Sequence, residues 1–158
     1  IVSGYTYDGV VVPQIQYLGS NAVALRDDGF TLYSGRQIPK ELKTVQVENE
    51  IISTFYDENN IGLVFKNDSK DKQYTMQVYA TDGKLKFSKP VSFQYKEIDI
   101  DGDMVILYNE NSCEIYNMSG KCRFSGSFDF TFSAVRAGKM ENELIFTGGD
   151  TVRSIRLK

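Results

Sequence analysis

Three aspartates at alternating positions have the side chains best suited to chemistry in this sequence: Asp99, Asp101 and Asp103. With Glu110, they match carboxylates at positions 1, 3, 5 and 12 of a calcium-binding loop. Such a loop needs a glycine at position 6, where this sequence has Met104, and the apolar run 105–108 predicts a strand directly afterwards. We therefore interpret Asp-Gly at 101–102 as a hairpin turn, and the three aspartates remain the candidate metal ligands.

The sequence has no histidine, which removes the commonest general base and the commonest metal ligand. A Ser-His-Asp or Cys-His site therefore cannot be built. The Ser-x-x-Lys pattern at 69–72 resembles that of acylating hydrolases, but it falls in a charged loop instead of at a helix start. The adjacent carboxylates at 27–28 and 57–58 fall in predicted turns. We expect no catalytic residue, no cofactor-binding residue and no cofactor, and predict that the protein is not an enzyme.

The two cysteines, Cys113 and Cys122, lie on either side of a predicted hairpin turn at Ser119-Gly120. In a two-residue hairpin, Cys122 would face Asn117 and Cys113 would face Gly126. The two thiols would then be too far apart for a disulfide, which needs Cα atoms within about 7 Å. We predict two free thiols.

The charge balance of 18 basic and 21 acidic residues leaves no electrostatic footprint for nucleic acid or for an anionic membrane surface. The 158 residues are 41% hydrophobic, enough for a folded core, and no stretch approaches the roughly 20 apolar residues that span a bilayer. The chain begins at Ile1. We expect it to be a piece of a longer protein whose targeting segment lies outside the sequence.

These side chains must be positioned by a structure that repeats about every forty residues. Apolar cores recur with starting positions 40, 42 and 39 residues apart, at Val23-Ala24-Leu25, Leu63-Val64-Phe65, Val105-Ile106-Leu107 and Leu144-Ile145-Phe146. Residues 78–87 also match residues 115–124 at a shift of 37, each as strand, tight turn and strand. Such a repeat predicts an all-β, propeller-like array of about four four-stranded blades, of the WD40 or quinoprotein-like type.

We assign one propeller-like domain, 1–158, with repeats at about 13–47, 51–93, 95–130 and 132–158. Each repeat is written as strands a to d, in which b is apolar throughout and d alternates. Strand d is predicted at 84–93 in the second repeat and at 121–130 in the third. The alternating aromatics of 91–95 and 128–132 are interpreted as core. The inner strands are predicted to begin with apolar residues, at Ile15, Ile51, Tyr95 and Phe132.

The fourth repeat ends after strand c, which leaves the outer side of Thr151 to Leu157 as an unpaired β edge. Residues 1–12 are β-prone and offer a latch strand that would close a small four-bladed ring. Alternatively, residues 1–12 close the preceding blade of a larger propeller, and the chain is an open half-ring that pairs with a second copy. Both arrangements protect the edge, and the sequence leaves both open.

A family resemblance covers Pro13 to Lys158. Within this range it is carried by six stretches: Glu50-Ile51-Ile52, Tyr56 to Phe65, Val78-Tyr79 to Gly83, Ile106-Leu107-Tyr108, Cys113-Glu114-Ile115-Tyr116 and Ser154-Ile155-Arg156-Leu157. The chain resembles the C-terminal half of uncharacterised, membrane-anchored propeller-like proteins of Gram-positive, clostridial-type bacteria, a domain of unknown function. The resemblance implies an N-terminal membrane anchor and an extracytoplasmic propeller, and it carries no catalytic residue.

The function expected from these observations is that of a non-enzymatic binding or scaffolding module, located outside the cell membrane and tethered through a segment absent from this chain. Its partner would be another protein or a cell-envelope polymer, without nucleic acid and without direct membrane insertion by this segment. The alternative is a structural half of a larger propeller enzyme, or of a propeller that binds a cofactor or metal. A homodimer, or pairing with the missing half of the propeller, is compatible with either.

Overall fold

The computed structural model describes residues 9–12, 14–35, 37–68 and 73–157. Within these ranges every regular element is a β-strand, which confirms the all-β prediction. The described ranges also contain no helix long and apolar enough to span a bilayer. The strands are β1 (Gln14–Leu18), β2 (Asn21–Arg26), β3 (Gly29–Ser34), β4 (Lys40–Gln46), β5 (Ile51–Tyr56), β6 (Asn60–Lys66), β7 (Tyr74–Ala80), β8 (Leu85–Val91), β9 (Glu97–Asp101), β10 (Met104–Tyr108), β11 (Ser112–Asn117), β12 (Cys122–Ser127), β13 (Ala134–Ala137), β14 (Glu143–Gly148) and β15 (Thr151–Arg156).

The strands form four antiparallel sheets, each a meander of consecutive hairpins. Sheet 1 has the order β1-β2-β3-β4, sheet 2 β5-β6-β7-β8, sheet 3 β12-β11-β10-β9 and sheet 4 β13-β14-β15. Sheet 4 has three strands in the described part of the chain, and the outer side of β15 has no partner strand there, as the sequence predicts. The chain divides between Ser92 and Phe93 into two compact units. The first unit contains sheets 1 and 2, and the second contains sheets 3 and 4.

The second strand of sheets 1 to 3 is buried along most of its length, as its continuous apolar sequence predicts. Four consecutive residues of β2, five of β6 and four of β10 are buried, because a strand inside a sheet that is covered on both faces needs apolar side chains at every position. In the fourth sheet, β14 alternates instead. The core of the first unit consists of Leu18, Val23, Leu25, Phe30, Leu32, Val45, Ile61, Leu63 and Tyr79. That of the second unit consists of Ile106, Tyr108, Cys113, Ile115, Phe132, Val135, Leu144, Phe146 and Leu157.

Two sheets carry the same polar contact at the shift of 37 residues that the sequence shows. In sheet 2 the Tyr79 hydroxyl donates to Gln77 Oε1 at 2.7 Å, and in sheet 3 the Tyr116 hydroxyl donates to Glu114 Oε2 at 2.7 Å. Each tyrosine lies two residues beyond its partner on the same strand, so both side chains point to one face of the sheet. The repeat in the sequence is therefore a repeat of side-chain contacts as well as of strands.

The hairpin between β2 and β3 depends on Gly29. Its φ of 149° lies in a region that side-chain-bearing residues rarely adopt, and it pairs with Gln46 across the sheet. A Cβ placed on Gly29 would lie 1.9 Å from the carbonyl oxygen of Val45. Only glycine lets strand β4 approach this closely.

The predicted outer strands of the second and third repeats are too long. Strand β8 ends at Val91 and β12 at Ser127, so the aromatic residues that follow each strand lie in connectors. In the second connector, the Phe128 N–H donates to the Asn111 carbonyl and the Phe132 N–H to the Glu110 carbonyl, both at 2.8 Å. Because these amides bond to a turn instead of a neighbouring strand, the backbone has left the sheet despite its alternating sequence.

The predicted starts of two inner strands are also wrong. Strand β9 begins at Glu97 and β13 at Ala134, so Tyr95 and Phe132 precede these strands instead of opening them. Strand β9 is not mainly apolar either, since it carries Glu97, Asp99 and Asp101, whereas β13 has a single polar residue, Arg136.

Cys113 faces Gly126, as predicted, but Cys122 faces Tyr116 instead of Asn117. The β11–β12 turn is longer than two residues, and the register shifts by one between Ile115 and Tyr116, which is a β-bulge. Both cysteines are free, Cys113 buried and Cys122 exposed.

The two thiols should react very differently. Burial, with a further contribution from the Glu114 carboxylate, raises the pKa of Cys113 to about 12, so almost no reactive thiolate forms there near neutral pH. We expect iodoacetamide at mildly alkaline pH, without reductant, to add one label to the native protein, at Cys122, and two labels after unfolding in guanidinium. Intact-mass analysis and peptide mapping measure this. Rapid labelling of Cys113 in the native protein would contradict its burial.

Two sequence predictions fall partly or wholly outside the described residues. The Ser-x-x-Lys pattern at 69–72 lies outside them, as do residues 1–8 of the proposed latch strand. The Val11 N–H donates to the Asp27 carboxylate at 3.2 Å, and Val12 packs against Ala22, Ala24 and Tyr33 of sheet 1. Pairing of the N-terminal segment with β15 stays a prediction.

Candidate functional site

Two of the three candidate metal ligands join the inner strands of the second unit. Asp99 and Asp101 lie two residues apart on β9, and Asp103 lies in the β9–β10 turn, where the strand pairing confirms the predicted hairpin. Asp99 Oδ2 accepts a hydrogen bond from Arg136 Nη1 at 3.1 Å, and Asp101 Oδ2 accepts one from the Ala137 N–H at 2.7 Å. Both carboxylates therefore connect β9 to β13. No group of three or more His, Cys, Asp or Glu side chains that could hold a metal ion occurs in the described ranges.

We expect millimolar calcium to leave the melting temperature of the protein unchanged within experimental scatter. A ligand that binds the native state must stabilise it by mass action, and two of the three carboxylates already have protein partners. Differential scanning fluorimetry with calcium, and with magnesium as the matched ion, measures this. A rise of several degrees in the melting temperature with calcium, but not with magnesium, would indicate that Asp99, Asp101 and Asp103 bind calcium.

A second candidate site lies at the opposite end of the same sheets. Successive antiparallel strands place the turn between the second and third strands of a sheet at the same end as the connector to the next sheet. In the second unit, this end consists of residues 93–96, the connector 128–133 and the turns 109–111 and 149–150. We call it the loop face.

Backbone hydrogen bonds and one amide side chain hold the loop face together. The Lys96 N–H donates to the Tyr108 carbonyl at 2.9 Å, and Asn109 Nδ2 donates to the Gln94 carbonyl at 3.1 Å. Asn109 Oδ1 also accepts from the N–H groups of Asn111 and Ser112, which closes the 109–111 turn. The loops are therefore bonded to one another as well as to their own sheets, and side chains on them have defined positions.

Four phenylalanines form the base of the loop face: Phe128, Phe130, Phe132 and Phe146. The ring centroids of Phe128 and Phe146 are 4.8 Å apart, and those of Phe132 and Phe146 are 4.9 Å apart. Phe132 and Phe146 are buried, whereas Phe128 and Phe130 are half-buried. The prediction that this aromatic run is core is confirmed for Phe132, and the other two rings of the connector extend from the core towards the surface.

Gly148 lets the connector lie directly on the end of sheet 4. A Cβ at this position would lie 2.7 Å from the Thr131 carbonyl oxygen and 2.8 Å from the Phe132 Cα. Gly148 pairs with Thr151 at the end of the β14–β15 hairpin, and it also sets the distance between the connector and this hairpin.

Three adjoining cavities open along the loop face, with volumes of about 640, 400 and 230 Å³. Asn111 lines both the first and the second, and Lys96 and Glu110 line both the second and the third. The cavities therefore lie side by side across the ends of sheets 3 and 4, and we call this row of cavities the groove. The largest lies between the 128–133 connector and the 149–150 turn.

The groove is lined by positively and negatively charged side chains. Arg153 lies 4.2 Å above the centre of the Phe130 ring and 3.8 Å from Asp129, in the largest cavity. In the neighbouring cavities Lys96 pairs with Glu110. The hydrogen bond from Lys96, together with its positive charge, lowers the pKa of Glu110. The groove thus offers hydrogen-bond donors, acceptors and aromatic rings on one surface.

Sequence reasoning did not find the groove, because it assigned Phe128–Phe130 to a strand. The available signal was the position of the run, which directly follows strand d and precedes the next inner strand, where a propeller chain must cross between blades.

Comparison with solved structures identifies the fold. The chain superposes on BamB from Moraxella catarrhalis with a TM-score of 0.58 at 13% identity, covering 91% of this chain and 45% of that one. For the WD40 β-propeller domain of Doa1 the TM-score is 0.54 at 11% identity, and the match covers 96% of this chain and 57% of that one. For a eukaryotic initiation factor it is 0.60 at 12% identity, covering 97% and 42%. The sheets are thus propeller blades, and the chain spans about half the length of these matched structures.

Comparison of sequences is less informative about activity. Residues 1–157 match the profile of one protein family, described as a family of unknown function (DUF5711). No curated protein matches the chain.

Proposed function

The chain belongs to DUF5711, a family of unknown function, and we propose that it is a non-enzymatic binding module of β-propeller type. The observation that carries the proposal is the groove of adjoining cavities on the loop face. Its walls come from four loops of two sheets. Three of these loops are hydrogen-bonded to one another and the 149–150 turn follows Gly148, on which the connector lies, so a ligand would meet a preformed surface. Loops held by a rigid scaffold are the usual place for binding residues.

We propose further that the partner is a protein or a cell-envelope polymer outside the cell membrane, and that a membrane anchor in another part of the protein tethers this domain there. The support is the resemblance of the sequence to membrane-anchored propeller-like proteins. Protease protection of the full-length protein in intact cells and in lysed cells tests the location. Digestion of the propeller in lysed cells alone would place it inside the cell.

A charge reversal on the groove tests the binding site. Asp129 is 94% exposed and lines the largest cavity, so Asp129→Lys changes the groove without burying a charge. The matched control is Asp103→Lys, in an exposed turn at the opposite end of sheet 3. We expect the unchanged protein and Asp103→Lys to co-sediment with envelope fractions of the parent organism. Asp129→Lys should bind these fractions at least about tenfold more weakly. Equal retention of both variants would contradict a site on the loop face.

A second candidate function is that of a structural half of a larger propeller, which as a whole is an enzyme or binds a cofactor or metal. Two observations favour it: the outer side of β15 has no partner strand in the described part of the chain, and the matched propellers are about twice as long. Sedimentation equilibrium tests it. A half-ring that completes itself should sediment as a dimer, and a monomer with full loop-face binding would favour the self-contained binding module.

A further inference from the structure

We infer that the largest cavity of the loop face binds a neutral sugar segment, as part of a glycan. The inference rests on the proposed function and specifies its ligand. The cavity, of about 640 Å³, has an unusual combination of walls. Besides two threonines, its side chains are two carboxylates, one guanidinium, one amide and two half-buried aromatic rings: Asp129, Asp150, Arg153, Asn111, Phe128 and Phe130.

The charges of the cavity argue against an ionic ligand. An anion would approach two carboxylates, Asp129 and Asp150, against one cation. A cation would meet Arg153, whose guanidinium lies across the Phe130 ring and therefore occupies the aromatic face that would otherwise attract it. A purely apolar ligand would remove water from the carboxylates without replacing their hydrogen bonds, which is unfavourable.

A sugar satisfies each of these groups. Its hydroxyl groups donate to carboxylate and amide oxygens and accept from a guanidinium. Its C–H faces pack on Phe128, beside the Phe130 face that Arg153 already covers, as in other small-molecule sites where a few polar groups orient the ligand. Hydrogen bonds to charged partners are the stronger kind, so Asp129, Asp150 and Arg153 would contribute most of the affinity.

The guanidinium of Arg153 is placed for this role before any ligand arrives. Stacking on Phe130 at 4.2 Å limits its orientations, and its contact with Asp129 is long, at 3.8 Å. The side chain is half-exposed, so its N–H groups remain accessible from the cavity. Thr151 donates to Asp150 at 3.1 Å, which orients that carboxylate at the turn.

Titration of the whole 158-residue chain with neutral oligosaccharides tests the inference. The probes are cellotetraose, maltotetraose and N-acetylated chitotetraose, with tetraglutamate and tetralysine as ionic comparisons. We expect at least one neutral probe to shift the amide signals of Gly148 and Gly149 and the side-chain Nε–H signal of Arg153 in ¹H–¹⁵N spectra. Its affinity should not change between low and high salt, because a neutral ligand has no charge to screen. If no neutral probe shifts these signals, or if tetraglutamate or tetralysine alone does so, the inference is wrong.

Two variants separate a sugar from an acidic ligand. The double change Asp129→Ala and Asp150→Ala should weaken the neutral probe at least about tenfold, whereas an acidic ligand would bind more tightly once the carboxylates are gone. Arg153→Met keeps an aliphatic side chain over Phe130 and removes the donors, and it should also weaken the sugar about tenfold. The matched control is Arg123→Met, at an exposed arginine on β12, and it should leave the affinity for the neutral probe unchanged. Spectral dispersion and melting temperature report whether each variant is folded.

This experiment can fail separately from the proposed function. If the neutral probes do not bind but Asp129→Lys still abolishes binding of an envelope fraction, the loop face is a binding site for another class of ligand. If neither the neutral probes nor the envelope fraction binds, the sugar inference and the proposed binding function are both wrong.

Discussion

Replacing Phe146 by alanine should destabilise the second unit by about 3–5 kcal/mol, the usual loss for a large side chain removed from a packed core. Phe146 is 1% exposed and contacts the rings of Phe128, Phe130 and Phe132. Removal of its ring leaves a cavity that the three remaining rings cannot fill, since all three belong to the 128–133 connector, which two backbone hydrogen bonds hold to the 109–111 turn. The loop face should lose its groove together with its stability.

Urea unfolding followed by tyrosine fluorescence measures the effect, with Val152→Ala as the control. Val152 is 70% exposed on β15 of the same unit, so its truncation should change the free energy of unfolding by no more than about 0.5 kcal/mol. A loss below about 1 kcal/mol for Phe146→Ala would mean that the four rings are not a packed core.

Gly29→Ala is the second change with a large expected effect. The added Cβ would lie 1.9 Å from a backbone oxygen of β4, and the φ of 149° is unfavourable for alanine. Backbone strain and overpacking each cost roughly 1–3 kcal/mol, so we expect a loss of about 3 kcal/mol or more in the first unit.

Gly102→Ala is the matched control for this prediction. Gly102 also has a positive φ, 61°, but a Cβ there meets nothing within 4 Å. The expected loss is therefore about 1–2 kcal/mol, from the backbone conformation alone. Thermal unfolding of both variants separates the cost of the backbone conformation from the cost of the contact with β4. Equal destabilisation would show that the close approach of β4 contributes nothing.

The strands were largely predictable because their signals are local. A run such as Val105-Ile106-Leu107, between an Asp-Gly turn and an Asn-rich turn, permits little else but a buried strand. The aromatic run Phe128 to Phe132 was misassigned because alternation describes where side chains point and not what the backbone bonds to. The amides of Phe128 and Phe132 bond to the carbonyls of the 109–111 turn, and that partner is 17 to 22 residues away in the sequence.

The candidate site was less predictable than the fold. The Asp99, Asp101 and Asp103 pattern was visible in the sequence, but the two hydrogen bonds that join Asp99 and Asp101 to β13 connect residues 37 and 36 positions apart. The groove is formed by four loops of two sheets, and Arg153 reaches Phe130 across a strand and a connector. Such contacts depend on how neighbouring sheets pack, which a pattern within one repeat does not contain.

In the described part of the chain, every strand pairs only with its neighbours in the sequence, and this has a kinetic consequence. The most widely separated pair in any ladder, Asn60 and Ala80, is 20 positions apart. Each hairpin therefore closes a short loop, at a low entropic cost, before any distant segment is needed. We expect the chain to fold faster than β-sandwiches of similar length, and each sheet to open as a separate cooperative unit in hydrogen exchange, as in other repeat proteins.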